Sequence, residues 1–242
     1  MRNGLTIGLV VPTAADEVPP EGPIMYPGVR FIARSARVHD LTPGGYDPGW
    51  DAIFPAVDYL VAQGVDAVTV AGTSLTFYRG PQAHQDLLAQ LRRRTGLPVS
   101  TMSQSILDGL GAVGAKRIAV ATAYTDVVNR RLKELLAAAG FDVQALACFN
   151  IVEFAGPHKK TPADIIALAE EAAAAAPGAE AILISCGGLH TLDVTRPLEA
   201  KFGIPVVSSA TAVFWAAMRL VGDSGHVPGY GQLFERSGPA VH

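Results

Sequence analysis

The sequence predicts an α/β protein made of two similar lobes. Each lobe is expected to be a parallel sheet flanked by helices, with a pseudo-two-fold axis relating the two and the active site between them. Three observations carry this expectation. The chain repeats itself: GVDAVTVAGTS (64–74) and GAEAILISCGG (178–188) share a glycine, an acid two residues later, an apolar run and small polar residues, at an offset of 114 residues (64 to 178). GLPVS (96–100) recurs as GIPVV (203–207), and IGLVV (7–11) as IAVAT (118–122). The strand-like runs are continuously apolar rather than alternating, as strands buried on both faces are. Strand and helix patterns then alternate along the chain, which is the mark of parallel sheets with crossover helices.

The elements follow in order. Thr6–Val11 reads as the first strand. A helix is expected over Asp47–Gly64, capped by Asp47, with Pro48 at its first position, Ile53, Val57, Leu60 and Val61 on one face and Gly64 as its stop. Ala67–Ala71 is the next strand. Gln82–Gly96 is a helix carrying Leu87, Leu88 and Leu91, with an arginine cluster, Arg92–Arg94, in the last turn before Gly96. Leu97–Ser100 and Arg117–Ala121 are strands, followed by a helix over Asp126–Gly140 and a strand over Asp142–Ala147. Thr161, Pro162 and Asp164 form a helix start with a threonine cap, a proline at the first position and an acid at the third. Ala181–Ser185 and Pro205–Ser208 complete the strands. Residues 1–114 plus 209–242 are expected to form the first lobe, and 115–208 the second.

Composition narrows the function. At 242 residues, 49% hydrophobic and 17% charged, the chain suits a well-buried globular protein. A net charge of −3 without a basic stripe speaks against nucleic acid. Two cysteines fit a reducing cytoplasm and not a disulfide framework. No apolar run is long enough for a membrane span or signal segment, so a cytoplasmic protein, monomer or small homo-oligomer, is expected. No P-loop and no GxGxxG follows a strand, which leaves nucleotide binding unsupported.

Ligands of open α/β sheets bind beyond the carboxyl ends of the strands. There stand Pro12 and Thr13; Gly72, Thr73 and Ser74; Thr122, Tyr124 and Thr125; Cys186, Gly187 and Gly188; Ser208 and Ser209. These are hydroxyls, a thiol and glycine-exposed amides, almost without charge. Thr73, Ser74 and Tyr124, with the amides after Gly72 and Cys186, can hold a carboxylate and hold it harder as it gains enolate charge. The plainer alternative is that each hydroxyl only caps a following helix. Cys186 is the central residue. In the repeat it falls opposite Gly72, so one strand end offers a thiol and the other only backbone. Gly187-Gly188 permits close backbone approach and is expected to open a helix, and a thiol there can donate a proton to carbon or, as thiolate, attack or abstract. Cys148 reads as a small buried hydrophobe. His190, four residues after Cys186, lacks the further ligands that a metal needs and is expected to line a pocket or sit on a helix surface. The stretch from Pro157 to Lys160 reads as a solvated loop able to flap over the site.

The blocks IGLVVP (7–12), TPGGY (42–46), GTSLTFYRG (72–80), ATAYTD (121–126), LISCGGL (183–189) and PGYGQLF (228–234) resemble the aspartate/glutamate racemase superfamily and, within it, the arylmalonate decarboxylases. The likeness runs along nearly the whole chain. Racemases and maleate isomerases of that superfamily use two cysteines, one per lobe; Gly72 departs from that pattern and matches the decarboxylases. The resemblance implies a carboxy-lyase acting on a small dicarboxylate, a 2-aryl or 2-vinyl malonate. One carboxylate would sit in the cradle of Thr73, Ser74 and Tyr124, and the other in an apolar pocket. CO2 would leave an enediolate for Cys186 to protonate on one face, giving one enantiomer of a 2-substituted acid. No metal, biotin or thiamine is implied, because the substituent delocalises the carbanion. The implied pocket walls are Pro12, Val38, Leu41, Tyr46, Leu75 and the segment Val152–Pro157, with Gly72 and Gly187 against the substrate. Phe154 and Pro157 stand where the family pattern implies smaller or more flexible apolar side chains, which bears on substrate preference. Two alternatives stand beside this one: a maleate isomerase or racemase using Cys186 alone, and a non-catalytic carboxylate-binding protein.

Overall fold

The computed structural model describes residues 4–235. Positions 236–242, which the sequence assigned to the first lobe, lie outside the described residues, as do 1–3. The elements run β1 (Thr6–Val11), α1 (Glu21–Met25), β2 (Arg30–Ser35), α2 (Pro43–Ala62), β3 (Ala67–Val70), α3 (Thr73–Phe77), α4 (Pro81–Thr95), β4 (Val99–Thr101) and α5 (Met102–Ala112). They continue as β5 (Arg117–Thr122), α6 (Asp126–Ala138), β6 (Asp142–Cys148), α7 (Pro162–Ala174), β7 (Ala181–Ser185), α8 (Thr195–Phe202), β8 (Val206–Ser208), α9 (Ser209–Leu220) and α10 (Gln232–Glu235).

Two four-stranded sheets result, ordered β2-β1-β3-β4 and β6-β5-β7-β8, with every pairing parallel. The repeat extends to register. Ile7 pairs with Ala67 and Val10 with Val70 in one sheet; Ile118 pairs with Ala181 and Ala121 with Ile184 in the other. Gly72 and Cys186 therefore stand at the same place beyond matched strands. Gly96 and Gly203 end α4 and α8 in the left-handed conformation that glycine adopts without penalty, each just before the last strand of its sheet.

All of β1, β3 and β7 is buried, as strands covered on both faces must be. Each fully buried Leu, Ile or Val contributes roughly 1.5–3 kcal/mol. Helix α9 is buried from Ser209 through Met218 and contacts β3 and β4 of one sheet as well as β7 and β8 of the other. A helix apolar on all sides is a core helix, and this one ties the two halves together.

Three expectations change. Strand β2 was missing from the sequence reading: it is a partly exposed edge with Arg30 and Arg34 in it, unlike the continuous apolar runs of its neighbours. Helix α2 begins at Pro43, not Asp47. Thr42 caps it by accepting the Gly45 N–H at 3.2 Å, while Asp47 turns outward to accept from the Tyr78 hydroxyl and Arg79. Pro48 and Pro55 are carried inside the helix. Gly187 and Gly188 open no helix; they form a turn closed by the Leu189 N–H donating to the Cys186 carbonyl at 3.2 Å, and the next helix begins only at Thr195.

Candidate active site

A cavity of about 250 Å3 opens at the carboxyl ends of the strands of both sheets. Ligand pockets run to roughly 300–1,000 Å3, so this one suits a small molecule of about one ring. Val11, Pro12 and Thr13 come from the end of β1, Ala71 and Gly72 from β3, and Thr73, Ser74 and Leu75 from the first turn of α3. Cys186, Gly187 and Gly188 come from the end of β7. Val38, Leu41 and Tyr46 add an apolar wall, and Phe154 and Pro157 add another. Gly49 makes the first wall possible: a side-chain carbon there would lie 2.7 Å from Val38, so only glycine lets α2 press this close.

The sulfur of Cys186 is buried. Burial pushes the thiol up to about 11, against the opposing pull of the Gly188 N–H, the Tyr124 hydroxyl and the Leu189 N–H, all of which favour the thiolate. At neutral pH the group is therefore a thiol that keeps its proton. The expected helix N-terminus that would have lowered it is absent.

Thr73 and Ser74 line the same cavity. Thr73 is held by its backbone, whose carbonyl accepts from Ser103 Oγ at 2.9 Å, while its own hydroxyl points at Met102 Sδ, 2.8 Å away. The Gly72 carbonyl accepts from Thr76 Oγ1 at 3.0 Å and Thr76 N at 3.2 Å, which fixes the turn into α3. The first amides of a helix have no partner within it, so the cradle offers N–H groups beside its hydroxyls. Tyr46 lies next to them with its hydroxyl buried and without a hydrogen-bond partner; Ser74 approaches it but closes no bond. Burial holds that phenol firmly to its proton. Tyr46 lines the cavity, and a buried, unpartnered donor is costly in the free protein; a bound oxygen would satisfy it.

Tyr124 does not line the cavity. It lies fully buried behind the floor, its hydroxyl 3.5 Å from Ser185 Oγ and within range of both Cys186 and Thr73. Its backbone is fixed by Asn129, which donates to the Tyr124 carbonyl at 3.1 Å and accepts from Thr122 Oγ1 at 2.7 Å. Tyr124 thus links the thiol to the cradle from beneath. Val152 also stays out of the cavity: its side chain is half exposed, and only its carbonyl participates, accepting the Leu41 N–H at 2.8 Å. That bond, with the antiparallel bridge between Asp40 and Glu153, draws the segment after β6 across to the loop before α2. Pro157 is buried at the start of a short 3-10 turn and packs into the wall, while His158 and Lys159 after it are exposed, as a solvated loop would have them. Cys148, half-buried at the end of β6, does not line the cavity.

Residues distant in sequence complete the rim. Met102, Ala210 and Phe214 line the cavity from α5 and α9. At its mouth the Glu21 carboxylate accepts from His190 Nδ1 at 2.9 Å, and His190 Nε2 faces His158 Nδ1 at 3.4 Å. Glu21 is buried, whereas both histidines reach solvent. Burial lowers His158, and the neighbouring His190 lowers it further. Among the described residues no group of three or more His, Cys, Asp or Glu side chains is placed to hold a metal ion, and no helix is long and apolar enough to cross a membrane.

The family model described as arylmalonate decarboxylase matches residues 7–234. Arylmalonate decarboxylase of Bordetella bronchiseptica is 42% identical over 233 residues, 96% of this chain and 97% of that one. Maleate isomerase of Nocardia farcinica is 25% identical, covering 95% of each. Among solved structures, a liganded double mutant of arylmalonate decarboxylase superposes with a TM-score of 0.94 at 40% identity, covering 96% of this chain and all of that one. A Nocardia farcinica maleate cis-trans isomerase with a covalently bound succinylcysteine intermediate gives 0.88 at 24% identity over 97% of this chain and 99% of the other, a likeness of fold.

Proposed function

The chain belongs to the arylmalonate decarboxylase family, and from that premise we propose that it removes CO2 from 2-aryl or 2-vinyl malonates without a cofactor, with Cys186 protonating the carbanion. One observation carries the proposal. A thiol that holds its proton stands at one strand end, and the matched position in the other sheet is Gly72. A protonated thiol suits donation to carbon and is poorly suited to nucleophilic attack. A single donor without an opposing base suits one-sided protonation and not exchange of a proton between two faces.

In the proposed reaction one carboxylate of the malonate accepts from Thr73, Ser74 and Tyr46 and from the first amides of α3. Tyr46 enters this set because its hydroxyl is otherwise unsatisfied. The other carboxylate faces the apolar side near Val38, Leu41 and Leu75, where a charge is poorly solvated. Its C–C bond breaks, CO2 leaves, and the electron pair passes into the retained carboxylate as an enediolate, which the cradle binds more tightly than the ground state. The S–H bond of Cys186 then breaks as a C–H bond forms. Tyr124, linked to both sulfur and cradle, favours the resulting thiolate.

The test incubates the protein with phenylmalonate and 2-methyl-2-phenylmalonate without added cofactors, beside Cys186→Ala. CO2 release with a chiral product from the wild type, reduced by roughly 10²–10⁴-fold in the variant, is the expected result. Wild-type CO2 release that persists undiminished in Cys186→Ala overturns the assignment of the donor. No CO2 from the wild type overturns the reaction.

A further inference from the structure

Decarboxylation of a malonate dianion to a monocarboxylate and CO2 consumes one proton per turnover, and Cys186 carries only one. Resting on the decarboxylase reading above, we propose that His158, backed by His190 and Glu21, returns a proton to Cys186 after each turnover. Cys186 is buried and lines the cavity, whose mouth the two histidines share. Of the other ionisable groups that line the cavity, Glu17 is an exposed carboxylate and Tyr46 a buried phenol. Among the described residues lining the cavity, the two histidines carry rings whose nitrogens can each take up and release a proton.

Their placement fits a relay. The Gly188 N–H points at the Cys186 sulfur, and His158 packs against the same glycine, its Nε2 3.3 Å from where a side-chain carbon on Gly188 would sit. The opposite nitrogen of His158 faces His190, whose Nδ1–H donates to Glu21. One ring edge of the pair is therefore on the cavity side, and the other side reaches solvent. The adjacent Lys159 is already engaged, pairing with Glu153 at 3.1 Å. A proton taken from solvent or buffer acid by the histidine pair passes to His158 Nε2. The N–H bond there breaks, an S–H bond forms on the thiolate, and the pair returns to its neutral state. No electrons are gained or lost. Glu21 fixes which nitrogen of His190 carries hydrogen, as a carboxylate behind a histidine does, so Glu21 and His190 are positioning residues.

This assignment predicts a difference between the first turnover, which spends the proton already on Cys186, and those that follow. CO2 release is measured by rapid quench with enzyme in excess and with substrate in excess, for the wild type, His158→Gln and Glu21→Gln. In His158→Gln the single turnover should change by less than about threefold, while the steady-state rate falls tenfold or more and recovers with added imidazole. Glu21→Gln should show the same split, with a smaller fall. Equal losses in both regimes would mean that His158 positions substrate or supports the fold, and no steady-state loss would mean that solvent reloads the thiol directly; either result overturns the relay. Absence of CO2 from the wild type in both regimes instead overturns the decarboxylase reading itself, and the relay with it.

Discussion

The protonation state of Cys186 decides between a donor and a nucleophile, and it can be read directly. Burial raises the thiol from an ordinary 9.0 to about 11. Each tenfold change in acidity is about 1.4 kcal/mol, so the cavity disfavours the thiolate by about 3 kcal/mol. At pH 8 a thiol of 9.0 is roughly one-tenth ionised and a thiol of 11 roughly one-thousandth, a hundredfold difference in the reactive form. The assay is alkylation by iodoacetamide in a Cys148→Ser background, which leaves Cys186 as the sole cysteine. Its rate is followed from pH 7 to 10.5, with urea-unfolded protein as the reference. In the folded protein the logarithm of the rate should climb with unit slope across the whole range, while the unfolded chain levels off between pH 8 and 9.5. Access to the cavity slows every point equally and leaves the inflection where it is. A folded-state inflection at or below pH 9 would refute the reasoning, because Cys186 would then be a substantial thiolate near neutrality and a nucleophilic role would be favoured.

Other consequences are as direct. Tyr46→Phe removes a buried hydroxyl that has no protein partner, so melting temperature should hold or rise slightly while kcat/KM falls about 10- to 100-fold, the worth of one hydrogen bond to a charged group; thermal melts beside kinetics check both. Phe154→Val should open the cavity and raise kcat/KM for ortho-substituted aryl malonates relative to phenylmalonate by roughly tenfold or more, the scale on which apolar pockets discriminate. His84 is buried, with Nε2 2.7 Å from Thr101 Oγ1 and Nδ1 unpartnered, and burial lowers it to about 4. The unfolded chain takes up that proton near 6.5, so stability is lost as pH falls from about 6.5 to 4, by about 3 kcal/mol in all. Urea unfolding of His84→Gln at pH 7 and 4.5, which spans most of that loss, should show about 2 kcal/mol less acid sensitivity, and an unchanged difference would remove His84 as the cause.

Much of this was legible because the repeat is in the letters. Two apolar runs at a constant offset, each ending in small residues, placed Gly72 and Cys186 at equivalent strand ends. Gly64 and Gly96 marked helix ends because left-handed backbone leaves so few alternatives. Local rules failed where neighbours far along the chain decided. Asp47 carries a cap signature, yet Arg79 and Tyr78 draw its carboxylate outward and Thr42 takes the cap. Gly187-Gly188 looked like a helix start, but a side-chain carbon on Gly187 would lie 2.9 Å from Met102 Sδ, and the backbone is committed to that close approach instead. Edge strand β2 lacks the continuous apolar run that revealed its neighbours. The pairing of Glu21 with His190 spans 169 residues, and no periodicity or motif announces such a contact.

The cavity draws its walls from Val11 to Phe214, and α9 spans both sheets. During synthesis the ribosome therefore releases the whole sheet that leads to Gly72 well before the helix that completes the pocket. A nascent chain can acquire most of its secondary structure while still chemically inert, since contacts so distant in sequence are slow to form. Because the pocket needs walls from both ends of the chain, recovered turnover is a stringent report that the whole chain has reached its native arrangement.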